Sequence, residues 1–218
     1  HPTPDPLSRP PWVGYWSSPD RGLIHLLDAW PRIRERVPGA RLKVFYQVKK
    51  YIEHVRYAIL DGRAIHIGRL LAERLAALAG DGGVDLMDAL PRRALAREQI
   101  KCRVMCYPCN PDGFTEGFGQ AVPEAMLAGA LPVVRCADAF AELWQPAVMS
   151  LVESPASEEF VEEIVDRVVW GLTTWDGTQH PSLETMRACA LPWSWERAAE
   201  SLERAIVTAQ ARRLAEAA

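Results

Sequence analysis

Trp12-Val13-Gly14-Tyr15-Trp16-Ser17 is a short apolar run, and Ser17-Ser18-Pro19-Asp20 closes it with a turn. Leu23, Leu26, Leu27, Trp30, Ile33 and Val37 follow at three- and four-residue steps, the spacing of one helical face. Pro38-Gly39 stops that helix. Leu42, Val44 and Tyr46 then alternate through a second strand, Arg41 to Tyr46. Residues 12 to 46 thus predict strand, helix and strand, the order that closes into a right-handed crossover with parallel strands.

The alternation continues downstream. Residues 47 to 63 show no readable period. A helix is expected over 64–79, with Ile67, Leu70, Leu71, Leu75 and Leu78 on one side and Gly80 as its stop. Val84 to Met87 reads as a strand, and Pro91 to Gln99 as a helix with proline at its first position. Arg103 to Tyr107 and Leu131 to Val134 read as strands around a helix over Gln120 to Ala128, which Gly129 ends. Phe160 to Gly171 is an amphipathic helix. Ser194 caps a long last helix carrying Trp195, Ala199, Leu202, Ile206 and Ala209, with Trp193 and Trp195 expected to pin it to the body. Short apolar strands alternating with helices predict an α/β, Rossmann-like parallel sheet with helices on both faces. In such sheets ligands bind beyond the carboxyl ends of the strands, which directs attention to the loops after Tyr15, Met87 and Tyr107.

Composition limits the alternatives. The chain has 218 residues, 49% hydrophobic and 24% charged, enough for one large core. The expected organisation is a proline-rich lead-in over 1–11 and one domain, with its last helix, over 12–218. A net charge of -3 offers nothing to nucleic acid through bulk electrostatics. No stretch approaches the ~20 apolar residues of a membrane span, although membrane association stays open. Five cysteines, an odd number, argue against a disulfide scaffold and for a reduced, cytoplasmic setting.

The densest chemistry lies in Phe114-Thr115-Glu116-Gly117-Phe118-Gly119-Gln120-Ala121-Val122-Pro123-Glu124. Proline is cheap only in a helix's first turn, so Pro123 sets the helix start near Gly119 or Gln120. Gly117 and Gly119 permit close approach of a ligand to the backbone. A helix N-terminus with unused N–H groups suits a diphosphate. Glu116 and Glu124 can accept hydrogen bonds from paired hydroxyls, such as a sugar and a ribose offer. Spacing alone leaves open a plainer reading, in which the glycines only shape a turn and Glu124 is solvated.

The stretch from Glu116 to Glu124 resembles the paired-glutamate motif of retaining glycosyltransferases of the GT-B fold, family four in particular. Glu124-Ala125-Met126-Leu127-Ala128-Gly129-Ala130-Leu131-Pro132-Val133-Val134 resembles that family's following helix, turn and strand. Arg21 to Pro31, Val37 to Leu42, Val84 to Leu95 and Trp195-Glu196-Arg197 resemble further segments in the family's order. The resemblance spans most of Val13 to Ile206. It implies that the chain is one half of a GT-B enzyme, binding a nucleotide-sugar donor, with the acceptor held mostly by a missing N-terminal domain. Glu116 would be the catalytic-site carboxylate, binding donor-sugar hydroxyls. Gly117, Phe118 and Gly119 would offer N–H groups to sugar and diphosphate, and Glu124 would hold the ribose hydroxyls. Arg21 would neutralise the diphosphate, and Leu90 and Pro91 would lie under the base. No metal or other cofactor is expected, because cations and helix N–H groups carry the phosphate charge.

The chain departs from the family in three places. Tyr15 follows Gly14 where arginine is frequent, Asp88 stands where glycine is usual, and Asp112-Gly113-Phe114 lengthens the approach to Glu116. Tyr15 and Asp88 motivate a rival reading, a degenerate nucleotide-binding or scaffolding module. A phosphorylase or sugar-nucleotide epimerase on the same fold is a third. Cys102, Cys106 and Cys109 have iron–sulfur spacing, but a strand over 103–107 would turn Cys106 and Cys109 to opposite faces, which favours small buried core residues. His25, His54, His66 and His180 show no metal-ligand spacing, and His25 reads as structural.

Overall fold

The computed structural model describes residues 5–56, 62–109, 117–154 and 157–216. Its elements are β1 (Trp12–Tyr15), α1 (Leu23–Arg36), β2 (Arg41–Val44), α2 (Val48–Arg56), α3 (Gly62–Ala77), β3 (Val84–Leu86), α4 (Arg92–Gln99), β4 (Val104–Tyr107), α5 (Ala121–Ala128), β5 (Leu131–Arg135), α6 (Ala139–Leu143), β6 (Met149–Leu151), α7 (Glu158–Thr173), α8 (Leu183–Ala190) and α9 (Trp195–Glu216). The six strands form one parallel sheet in the order β3-β2-β1-β4-β5-β6. This is the α/β, Rossmann-like arrangement expected from the alternation of strands and helices.

The strand order decides where a ligand can sit. The chain winds outward from β1 to β3, then returns to lay β4 against β1, with Val13 beside Val104 and Gly14 beside Met105. It then winds outward in the opposite direction. Right-handed crossovers on two opposite courses place α1 and α5 on opposite faces. In keeping with this, α1 packs on α3 and α7, whereas α5 packs on α4 and α8. The central strands are accordingly buried throughout β4 and through four residues of β5, while the edge strand β3 is half-buried. Leu23, Leu26, Leu27, Trp30 and Ile33 of α1 are fully or almost fully buried, each burial worth about 1.5–3 kcal/mol.

Several segments differ from their sequence reading. Residues 47–63, which show no readable period, contain α2. Val48 and Val55 are its buried positions, and Gly68 of α3 lets Val55 pack close, since a Cβ there would overlap the valine methyl. The short elements α6, β6 and α8 had no anticipated counterpart. The described part of the lead-in is packed down rather than loose. Arg9 and Arg103 are both buried. Arg9 Nη1 donates to the Cys102 carbonyl at 2.9 Å. Arg103 donates to the carbonyls of Leu7, Arg9 and Leu172, so one guanidinium ties the lead-in to the end of α7. In contrast, α9 is exposed from Trp195 to Arg213, including Trp195 at 70% and Leu202 at 63%. Ser194 does cap it, accepting from the Arg197 N–H at 3.3 Å. Trp193 packs its ring against those of Phe118 and Trp144 in the body. No helix among the described residues is long and apolar enough to cross a membrane.

Candidate nucleotide site

The parallel sheet changes winding direction between β1 and β4, so the crevice lies beyond their carboxyl ends. Tyr15 and Tyr107 end these strands. Their rings meet at 6.1 Å, Tyr15 Oη donates to the Ser18 carbonyl at 2.6 Å, and Ser17 Oγ donates to Tyr107 Oη at 3.0 Å. Tyr15 is fully buried, so its side chain belongs to the core. Trp16, next along, donates its indole N–H to the Ala121 carbonyl at 3.0 Å and so fastens the β1 end to the head of α5. Gly14 makes room for it, because a Cβ there would overlap the Trp16 ring.

The helix start predicted from Pro123 is where the structure has it. Gln120 is the N-cap and α5 begins at Ala121, with Pro123 in the first turn and buried. The two glycines before it differ in their physical reason. Gly119 has φ +65, and a Cβ would overlap the Phe140 ring, so its glycine is required by backbone conformation and packing. Gly117 has open space where a side chain would go. Close approach by a ligand is thus a sufficient reason only at Gly117. Phe118 is fixed on both sides. Its carbonyl accepts from Trp144 Nε1 at 2.9 Å, and its ring meets those of Trp144 at 5.3 Å and Trp193 at 5.2 Å.

Glu124 is half-buried on the first turn of α5 and accepts from Gln99 Nε2 at 3.0 Å. Gln99 is itself 5% exposed at the end of α4. One carboxylate oxygen is thereby held in place, leaving capacity for further donors. Glu124 opens onto a cavity of about 600 Å³ that Phe118, Pro123, Leu127, Arg92, Trp193 and Trp195 also line. That volume lies within the roughly 300–1,000 Å³ of small-molecule sites. Sequence reading did not identify Gln99, Arg92 or the tryptophan wall. Gln99 lies 25 residues from Glu124, and nothing local marks that pairing.

The other residues singled out in the sequence do not line this cavity. Arg21 is half-buried in the turn before α1, with its Nε 3.7 Å from Asp20. The adjoining Gly22, φ +88, starts α1 with its Cα against the Cys109 backbone, across the switch point. Leu90 packs against the core, and Pro91 is the exposed N-cap of α4 rather than its first residue. Asp88 has φ +56, the left-handed region that favours glycine. Glu116 lies outside the described residues, as does Asp112-Gly113-Phe114.

The three clustered cysteines are buried thiols. Burial pushes Cys102 up to about 12 and raises Cys106 as well, so both stay protonated. Cys109 Sγ donates to the Arg135 carbonyl at 3.4 Å. Among the described residues no group of three His, Cys, Asp or Glu side chains converges in a metal-binding arrangement. His25 packs edge-on against Phe160 at 5.3 Å, as a structural residue would.

No protein-family model matches this chain, and no curated protein matches it in sequence. Solved structures do match. Sucrose-phosphate synthase from Thermosynechococcus elongatus superposes with a TM-score of 0.65 at 14% identity, over 94% of this chain and 47% of that one. An α,α-trehalose-phosphate synthase (UDP-forming) from Burkholderia vietnamiensis gives 0.64 at 14%, over 98% and 46%. The pneumococcal O-GlcNAc transferase GtfA, solved with UDP and GlcNAc, gives 0.60 at 13%, over 92% and 36%. The chain has the fold of one half of these transferases. It spans less than half the length of each.

Proposed function

We propose that this chain is the donor-binding half of a retaining glycosyltransferase, which moves a sugar from a nucleotide diphosphate sugar to an acceptor hydroxyl. Glu124 carries the reading. It is a carboxylate held by Gln99, on the first turn of a helix at the crevice end of a parallel sheet, opening onto a cavity of nucleotide size. Such a group accepts the paired hydroxyls of a ribose. The helix head beside it, with Gly117 open to approach, offers N–H groups and a positive dipole end to a diphosphate. Arg21 and the α1 head supply further positive potential from across the switch point, and no metal is required. Glu116 takes the donor-sugar hydroxyls, and the family-four resemblance supplies that role and the retaining outcome. The likeness to transferases, one of them solved with UDP and GlcNAc, and the chain's share of their length, support a donor half whose acceptor half is a separate domain. Five thiols suit a reducing, cytoplasmic setting.

Titration calorimetry with uridine, guanosine and adenosine diphosphates tests this. The parent binds at least one of them. Glu124→Ala weakens that binding about 10- to 150-fold, the loss expected for hydrogen bonds to a charged group. Equal affinities in parent and variant would remove Glu124 from the site. The burial of Tyr15 favours a second reading, a nucleotide-binding module without transfer activity, since the cation frequent at that position is replaced by a core residue. A parent that binds nucleotide, but yields no transfer when joined to its acceptor half, supports that reading instead.

A further inference from the structure

The cavity at Glu124 has two unlike walls. One is α5, with Pro123, Glu124 and Leu127. The other is the turn from α8 into α9, which brings Trp193 and Trp195 to the same space. Trp193 is 50% exposed although Phe118 and Trp144 brace its ring at 5.2 and 6.0 Å. Trp195 is 70% exposed. Scattered exposed apolar residues need no explanation, but two tryptophans on one concave site, opposite a held carboxylate, do. Arg92, at the head of α4, lines the same cavity.

We propose that Trp193 and Trp195 form a stacking wall for the base of the nucleotide whose ribose Glu124 holds. The proposal rests on the donor-binding reading and adds the base contact to it. The base is bonded directly to the ribose, so a ribose on Glu124 places its base within the same cavity. There the two indoles supply flat π-faces, and the Phe118 ring packs against Trp193. A planar heteroaromatic ring gains from stacking on such faces, and the gain varies little with its identity. The bracing of Trp193 holds its ring in place before a ligand arrives, which lowers the entropic cost of binding. The Arg92 guanidinium can add a cation–π contact or donate to a base carbonyl. This assignment moves the base contact away from Leu90 and Pro91, which the resemblance placed under it. Leu90 is partly buried against the core, and of the stretch from Leu90 to Arg92 only Arg92 lines the cavity. The wall supplies affinity, and any preference among bases comes from the polar groups at its edge.

The test uses the whole chain and its Trp195→Leu and Trp195→Phe variants. Each is titrated with uridine, guanosine and adenosine diphosphates and with inorganic pyrophosphate. Exposed Trp195 can be replaced without disturbing the core, and a thermal melt checks this. Trp195→Leu is expected to bind the nucleoside diphosphates roughly 5- to 150-fold more weakly. Pyrophosphate, which has no base, is expected to bind as to the parent, and Trp195→Phe to recover most of the loss. Trp193→Leu, with its fold verified by the same melt, is expected to lose nucleoside diphosphate binding in the same pattern. Undiminished nucleotide affinity in both leucine variants overturns the wall and leaves the donor-binding reading standing. Equal losses for pyrophosphate overturn it too, since the tryptophans would then act on something other than the base. A folded parent that binds no nucleotide overturns the donor-binding reading itself.

Discussion

Replacing Gly119 by alanine is expected to lower stability by about 2–5 kcal/mol, while the same change at Gly117 is expected to cost under about 0.5 kcal/mol. At Gly119 two penalties add. The residue has φ +65, which costs an ordinary L-residue roughly 1–2 kcal/mol. A Cβ there would also overlap the buried Phe140 ring, and overpacking of this kind costs about 1–3 kcal/mol. Gly117 has neither feature. For a chain of this size 1 kcal/mol moves Tm by about 2–4 °C, so Gly119→Ala should melt roughly 4–20 °C below the parent. Differential scanning calorimetry reads this directly. A double-mutant cycle with Phe140→Ala separates the two penalties: the overlap disappears, so the combined loss falls short of the sum by about 1–3 kcal/mol. Binding should follow the reverse order. Gly117→Ala, stable but with a methyl where the diphosphate approaches, should lose nucleotide affinity. A Gly119→Ala protein that melts with the parent would refute the packing argument, and a fully additive cycle would refute the part assigned to Phe140.

Asp88→Gly is expected to raise stability by about 1 kcal/mol, relieving the left-handed backbone at φ +56; a lower Tm than the parent's would count against it. The carboxyl of Asp85 is lowered to about 2, first by its hydrogen bond from Arg41 and then by Lys43. A depressed carboxyl stabilises the fold above its ordinary range, and this contribution is lost as pH falls from about 4 towards 2. Asp85→Asn should therefore flatten the fall of Tm over that interval, and an unchanged acid limb would show that other groups dominate it. Arg103→Met leaves the carbonyls of Leu7, Arg9 and Leu172 without their buried donor, at about 1–3 kcal/mol for each group left unsatisfied. Limited proteolysis should then cut before Pro11 in the variant and spare the parent; the same fragments from both would refute the anchoring role.

The residues of this chain determine by themselves everything that depends on neighbours along the chain. The apolar spacing from Leu23 to Ile33, with Pro38-Gly39 behind it, sets α1 within a residue or two, because a helix's buried stripe and its stop are both local. Pro123 sets the start of α5 for the same reason. The alternation of strands and helices then leads to a parallel sheet, since short apolar strands need cover on both faces. Some elements escaped this reading. β6 and α8 have no counterpart in the sequence reading although they are no shorter than β3, α4 and α5, and α2 follows β2 with no stop signal between them. Tertiary structure alone decided the strand order, and with it the switch point between β1 and β4. It placed Tyr15 in the core, set Phe140 against Gly119 and brought Gln99 to Glu124. It also turned Trp193 and Trp195 onto the cavity that Glu124 lines. These are meetings between residues up to about a hundred positions apart. Which side chains meet at such range is settled by how whole elements pack, and packing leaves no periodic trace in the residues that take part.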